Sequence, residues 1–73
     1  MAQNAEVNIM EKLTPRQREI ARLLADGLTQ RQVAYQLGIK SRSVYNHTQR
    51  MRDRTGVRST VTIAVKAAME MQG

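Results

Sequence analysis

The chain has no cysteine, tryptophan or phenylalanine, and holds one proline, one histidine and two tyrosines among 73 residues. Each scarcity excludes something. Without cysteine there is no disulfide framework and no thiolate-bound metal. With Asp, Glu and a single His as the remaining ligand types, no other metal site or cofactor is expected. Without Trp or Phe, the interior must be filled by Leu, Ile, Val, Met and Ala, which suits closely packed helices better than a wide sandwich. No apolar run approaches the roughly 20 residues of a membrane span. The N-terminus has no apolar signal segment, so a cytoplasmic, nucleoid-associated location is expected. A chain this short removes only about 60% of its unfolded surface from water, which implies one small domain. It leaves no space for a separate sensing domain, so the chain either acts alone or is part of something larger.

Positive charge, by contrast, is abundant. Twelve Lys and Arg stand against six Asp and Glu, giving a net charge of +6 and a pI near 10.9. Such a balance favours an anionic partner, nucleic acid or an acidic membrane face. Half of these cations, Lys40, Arg42, Arg50, Arg52, Arg54 and Arg58, fall between positions 40 and 58, opposed there only by Asp53. A face that is merely solvated usually mixes both signs, and this one does not.

Residues 1–12 are polar, without helical or strand period, and read as a flexible arm; the alternative is that Ile9 and Met10 pack beside the first helix. Residues 13–73 form the domain. Thr14 followed by Pro15 and Gln17 is a capping box with proline at the first helical position, so a first helix is predicted over about Pro15 to Asp26. Its apolar stripe is Ile20, Leu23 and Leu24, and Gly27 stops it. Glu19, flanked by Arg16 and Arg22 at three-residue spacing, reads as a surface ion-pair partner, not a catalytic acid. A second capping box, Thr29 with Gln32, opens a second helix that buries Val33, Ala34 and Leu37 and ends at Gly38. By the same logic Ser41 is expected to cap a third helix running to Gly56, and Ser59 or Thr60 a fourth ending near Met71.

Ala34, Gly38 and Val44 satisfy the steric demands of a helix-turn-helix. The first must be small where two helices cross, the second must tolerate positive φ in the turn, and the third anchors the second helix. At 100° per residue, Val44, His47, Thr48, Met51 and Thr55 share one side of the third helix; Arg42, Tyr45, Asn46, Gln49 and Asp53 share the other. The outer set is explicable as ordinary solvated surface, but a solvent face needs no Tyr. Asn46 and Gln49 are able to grip base edges bidentately, so Arg42, Tyr45, Asn46 and Gln49 are the candidate base contacts. Candidate phosphate contacts are Thr29, Lys40, Ser41, Ser43, Arg50, Arg52, Arg54 and Arg58, which position a duplex without specifying it. Capping alone also accounts for Thr29 and Ser41. His47, with no second His and no carboxylate pair nearby, reads as packed or phosphate-adjacent; no catalytic or metal role is expected, and no enzyme.

The stretch LTPRQREIARLLADGLTQRQVAYQLGIKSRSVYNHTQRMRDRTGV resembles the DNA-binding domain of LuxR/GerE and NarL/FixJ regulators. The likeness covers Leu13 to about Ala68, and Leu13-Thr14, Arg16, Glu19, Gly27-Leu28, Ala34, Leu37, Ile39, Val44, His47 and Gly56-Val57 fall in register. It implies an all-α, compact four-helix bundle containing a helix-turn-helix. It also implies a third helix, about 42–55, that enters the major groove with Tyr45, Asn46 and Gln49 facing the bases, and a fourth that pairs with a second copy. Departures are Tyr45 where Lys is usual, Thr55 where Leu is usual, Thr60 where Arg is common, and Gln17 for the customary Glu. Tyr45 alters the expected sequence preference; Thr55 removes apolar volume from an expected core position.

The predicted fourth helix, about 60–71, carries one narrow polar stripe, Thr62, Lys66 and Glu70, and is otherwise apolar. One core-facing stripe needs roughly 100° of arc. The surplus points to a homodimer through Val61, Ala64, Val65, Ala67, Ala68 and Met71, or else to harmless exposed methyl groups. The expected function is therefore sequence-specific transcriptional regulation, with double-stranded DNA and a second copy as partners, RNA polymerase as a further candidate, and no membrane. Two other readings remain: a sigma-factor region-four-like module binding promoter DNA and RNA polymerase, and a protein-interaction adaptor using the apolar fourth helix.

Overall fold

A computed structural model describes residues 8–72, and they form helices α1 (Ile9–Lys12), α2 (Pro15–Ala25), α3 (Gln30–Leu37), α4 (Ser41–Thr55) and α5 (Thr60–Gln72). The four predicted helices are α2 to α5. Both expected capping boxes are formed. The Thr14 hydroxyl accepts from the Gln17 amide at 3.2 Å while the Gln17 carboxamide accepts from the Thr14 amide at 3.0 Å. At Thr29 and Gln32 the reciprocal distances are 3.1 and 2.8 Å. Gln17 thus replaces Glu without loss of the box, and it is buried.

The turn between α3 and α4 closes as its sequence requires. Gly38 is left-handed at φ 69°, ψ 31°. The Ile39 amide donates to the Ala34 carbonyl at 3.0 Å and the Gly38 amide to the Tyr35 carbonyl at 3.2 Å, the paired bonds that satisfy orphan carbonyls at a helix end. A Cβ at Gly38 would meet nothing within 4 Å, so backbone conformation alone demands glycine there.

Two expectations are corrected. Ser41 is not the cap of α4: the Lys40 carbonyl already accepts from the Ser43 and Val44 amides at 2.9 and 3.2 Å, which makes Lys40 the capping residue, and no side-chain cap bond is formed. The expected flexible arm does not extend to residue 12. Residues 1–7 lie outside the described residues, but Ile9–Lys12 form a helical turn with Ile9 buried in the core and Met10 packed against it. This takes up the alternative in which Ile9 and Met10 pack: α1 lies mainly against α5 and α4, and is tied to the first long helix by Arg18, which donates to the Met10 carbonyl.

The core is one cluster built on Leu13, Ile20, Ala21, Val33, Val44, Met51, Ile63 and Ala67. Burying each large member contributes roughly 1.5–3 kcal/mol. α2 packs along α5 and α3 along α4, while α4 touches all four other helices.

Thr55, where Leu is usual in the family the chain resembles, is held by hydrogen bonds. It is half-buried, its hydroxyl donates to the Met51 carbonyl at 2.8 Å, and it accepts from the Val57 amide at 3.2 Å, beyond the left-handed Gly56. Polar bonding at the helix end takes the place of apolar filling. Thr55→Val keeps the shape and removes the acceptor, so urea unfolding should show a loss of about 1 kcal/mol; an unchanged midpoint would assign the hydroxyl no net role.

Candidate nucleic-acid interface

The helical period divides α4 as its sequence demands. Val44, Thr48 and Met51 are buried, and His47 and Thr55 are half-buried beside them. The buried Thr48 hydroxyl is satisfied by donating to the Tyr45 carbonyl at 2.7 Å. On the opposite side Arg42, Tyr45, Asn46 and Asp53 are exposed, Tyr45 to 54%. Gln49 is half-buried on the same side and accepts from Arg52 at 3.5 Å. That bond is long enough to be weak, so the carboxamide is free to exchange it for a better partner. The four candidate base contacts thus lie in one stripe along a single helix.

Of the candidate phosphate contacts, Thr29, Lys40, Ser41, Arg50, Arg54 and Arg58 are exposed, and Ser43 and Arg52 half-buried. Thr29 is tied into its capping box. Arg54 is also committed: its Nε donates to the Lys12 carbonyl at 2.7 Å, holding the end of α1. Sequence alone gives no sign of this bond, because the two residues are 42 positions apart. Arg16 pairs with Glu19 at 3.0 Å, the one ion pair among the described residues, in keeping with a surface role for Glu19.

On one flank of α4 a cleft of about 420 Å3 separates it from the start of α2, lined by Thr14, Gln17, His47, Arg50, Asp53 and Arg54. Partial burial, and then the guanidinium groups of Arg50 and Arg16, hold the His47 pKa below its ordinary value. Both effects favour the uncharged imidazole over the imidazolium. Among the described residues no group of three His, Asp or Glu side chains is placed to hold a metal, and no helix is long and apolar enough to cross a membrane.

The model of the luxR family of bacterial regulatory proteins matches residues 11–67. The chain belongs to that family. A LuxR-family domain of this kind is a DNA-binding, helix-turn-helix module of a transcription regulator, and the family comprises such regulators and not, in general, enzymes. Neither a comparison with curated proteins nor one with solved structures gives a match.

The second surface of this LuxR-family domain is α5. Val61, Val65, Met69 and Met71 are exposed, Val61 to 72% and Met69 to 66%, and Ala64 and Ala68 are half-buried beside them. Ala67 is corrected: it is fully buried against the domain's own core and is not available to a partner. Met69, four residues after Val65 and eight after Val61, is exposed on the same ridge, a position readable from that spacing. Between α5 and the α2–α3 connection runs an apolar groove of about 530 Å3, with Leu24, Leu28, Val61, Val65, Ala68 and Met69 among its walls.

Proposed function

We propose that the chain is a sequence-specific transcriptional regulator that acts in the cytoplasm on nucleoid DNA and binds duplex DNA as a two-fold dimer. The observation that carries this reading is the outer stripe of α4. Arg42, Tyr45, Asn46 and Gln49 stand together on a face turned away from the core, with hydrogen-bonding groups suited to major-groove base edges. Lys40, Ser41, Ser43, Arg50, Arg52 and Arg58 flank that stripe or the ends of its helix, where they serve phosphates on both rims of the groove. Thr29, at the start of α3, and the outer nitrogens of Arg54 add to them. The absence of a side-chain cap on α4 leaves the Ser41 and Arg42 amides and the positive dipole end to an anion.

The two roles are separable by experiment. Arg50→Ala should weaken binding to every sequence alike and lower the slope of log affinity against log salt by about 0.9. Gln49→Ala should instead flatten preference at particular base pairs, by roughly 1 to 3 kcal/mol for each bidentate pairing removed. Both are read from binding to a randomised-site library at several salt concentrations. Identical behaviour of the two variants defeats this division.

Dimerisation is supported by the exposed ridge of Val61, Val65 and Met69 and the small Ala64 and Ala68 beside it, which allow close approach of a second helix. Sedimentation equilibrium at high concentration, with and without an inverted-repeat duplex, should give a protein mass near twice 8.3 kDa. A single-chain mass under both conditions rules the dimer out.

A further inference from the structure

The cleft between the start of α2 and α4 is unlike the outer stripe: its polar groups come from two helices, and one of them is the imidazole of His47. Arg50 is exposed and makes no ion pair among the described residues. Arg54 lines the same cleft with its Nε held by Lys12. From α2 the cleft receives the capped helix start, Thr14 and Gln17, with Arg16 near His47 and partly neutralised by Glu19. Asp53 is the one carboxylate in the lining. Excess positive charge beside a helix N-terminus is a setting for an anion, and the anion that a helix lying in the major groove brings to its flank is a backbone phosphodiester.

Resting on the DNA-binding reading, we propose that this cleft seats one phosphate of the duplex, and that His47 donates to it as imidazolium, so that binding takes up a proton. No bond other than N–H is made: a solvent proton joins the unprotonated ring nitrogen, and the phosphate oxygen accepts the resulting hydrogen bond. In the free protein, burial and the neighbouring arginines disfavour the imidazolium. A phosphate within hydrogen-bond distance reverses that balance, because an opposite charge at this range favours the ionised form. The sign follows. Protonation is more favourable in the complex than in the free domain, so the added affinity is fully present below the free-state pKa and is lost as pH rises through the pKa of the complex.

His47 is the only histidine in the chain, so its imidazole resonances in an untagged protein are assigned by inspection. The test uses the full chain and a mixed-sequence duplex of about 30 base pairs at fixed low salt, since a phosphate contact needs no operator. Affinity of the unaltered protein should rise about tenfold or more from pH 8 to pH 5.5, whereas His47→Gln, which retains a neutral donor, should lack that excess. In parallel, NMR titration should show the His47 pKa moving upward when the duplex is added. Duplex binding with superimposable pH curves and a His47 pKa that stays put or falls overturns the proposal and leaves the DNA-binding reading intact. No binding at any pH or salt overturns both. Should His47→Gln fold poorly, the NMR titration of the unaltered protein decides alone.

Discussion

Met51→Ala is expected to lower the free energy of unfolding by about 2 to 5 kcal/mol, the range for truncating a buried Met, Leu or Ile. Met51 is fully buried, and with Val44 and Thr48 it forms the inner face of α4, the helix in contact with every other one. Thr48 contributes little apolar area, so two side chains carry most of the apolar attachment of the recognition helix. A domain of this size has on the order of 4 to 11 kcal/mol in total, at roughly 0.05–0.15 kcal/mol per residue, and each kcal/mol of destabilisation lowers the melting temperature by about 4–8 °C. The variant should therefore melt about 8 to 40 °C lower by circular dichroism, while Met51→Leu, which conserves volume, should cost less than about 1.5 kcal/mol. A cost below about 1 kcal/mol for the Ala variant would mean that the site collapses around the gap. Binding measured below the melting transition should change much less than stability, because Met51 lies opposite the stripe proposed to face DNA.

The same face of α4 shows how far sequence carries an argument in this protein. A 3.6-residue period and two capping boxes are local, each decided within a few residues, and these determine where α2 and α3 begin and which side of α4 is buried. The assignment of the outer stripe follows from that geometry alone. Ser41 misleads for an equally local reason: the capping rule recognises a hydroxyl near a helix start, but which carbonyl takes the first helical bond depends on how the chain leaves the Gly38 turn. Ala67 escapes correct placement because the polar stripe of α5, Thr62, Lys66 and Glu70, lies beside the buried Ile63 and Ala67 and not opposite them; only the position of α2 against α5 distinguishes Ala67 from Ala68. The Arg54–Lys12 bond joins segments distant in sequence, and nothing in the spacing of charges announces it. The placement of Thr55 shows a third kind of limit, in which a residue unfavourable by size is accommodated through bonding that composition does not reveal.

Glu70 is the strongest case of this last kind, and its removal should have the second largest effect on the fold. In the sequence it extends a polar stripe with Thr62 and Lys66. In the structure it has partners: Glu70 is half-buried, and its carboxylate oxygens accept from the Ile9 and Met10 amides at 2.8 and 3.1 Å. A four-residue helix cannot persist alone, because nucleation fixes several residues for a single bond, and its first amides have no partner within the helix. A carboxylate placed there satisfies two of them and complements the positive end of the dipole. At the other end Arg18 donates to the Met10 carbonyl at 2.9 Å and Arg54 to that of Lys12 at 2.7 Å, so α5, α2 and α4 each contribute one side chain to holding α1. Glu70→Ala should cost about 2 to 3 kcal/mol, somewhat below the sum of two charge-assisted bonds, because the site is partly open to water. Glu70→Gln, which retains one acceptor, should cost about half as much. The discriminating measurement is hydrogen exchange at single amides: Ile9 and Met10 should lose protection selectively in Glu70→Ala, while amides in the middle of α2 and α4 lose only what the global change imposes. Equal exchange of Ile9 and Met10 in both proteins would transfer the anchoring of α1 from the carboxylate to the buried Ile9 side chain. The selective outcome would make the turn before α2 a separately releasable unit, joined through Arg54 to the far end of the recognition helix.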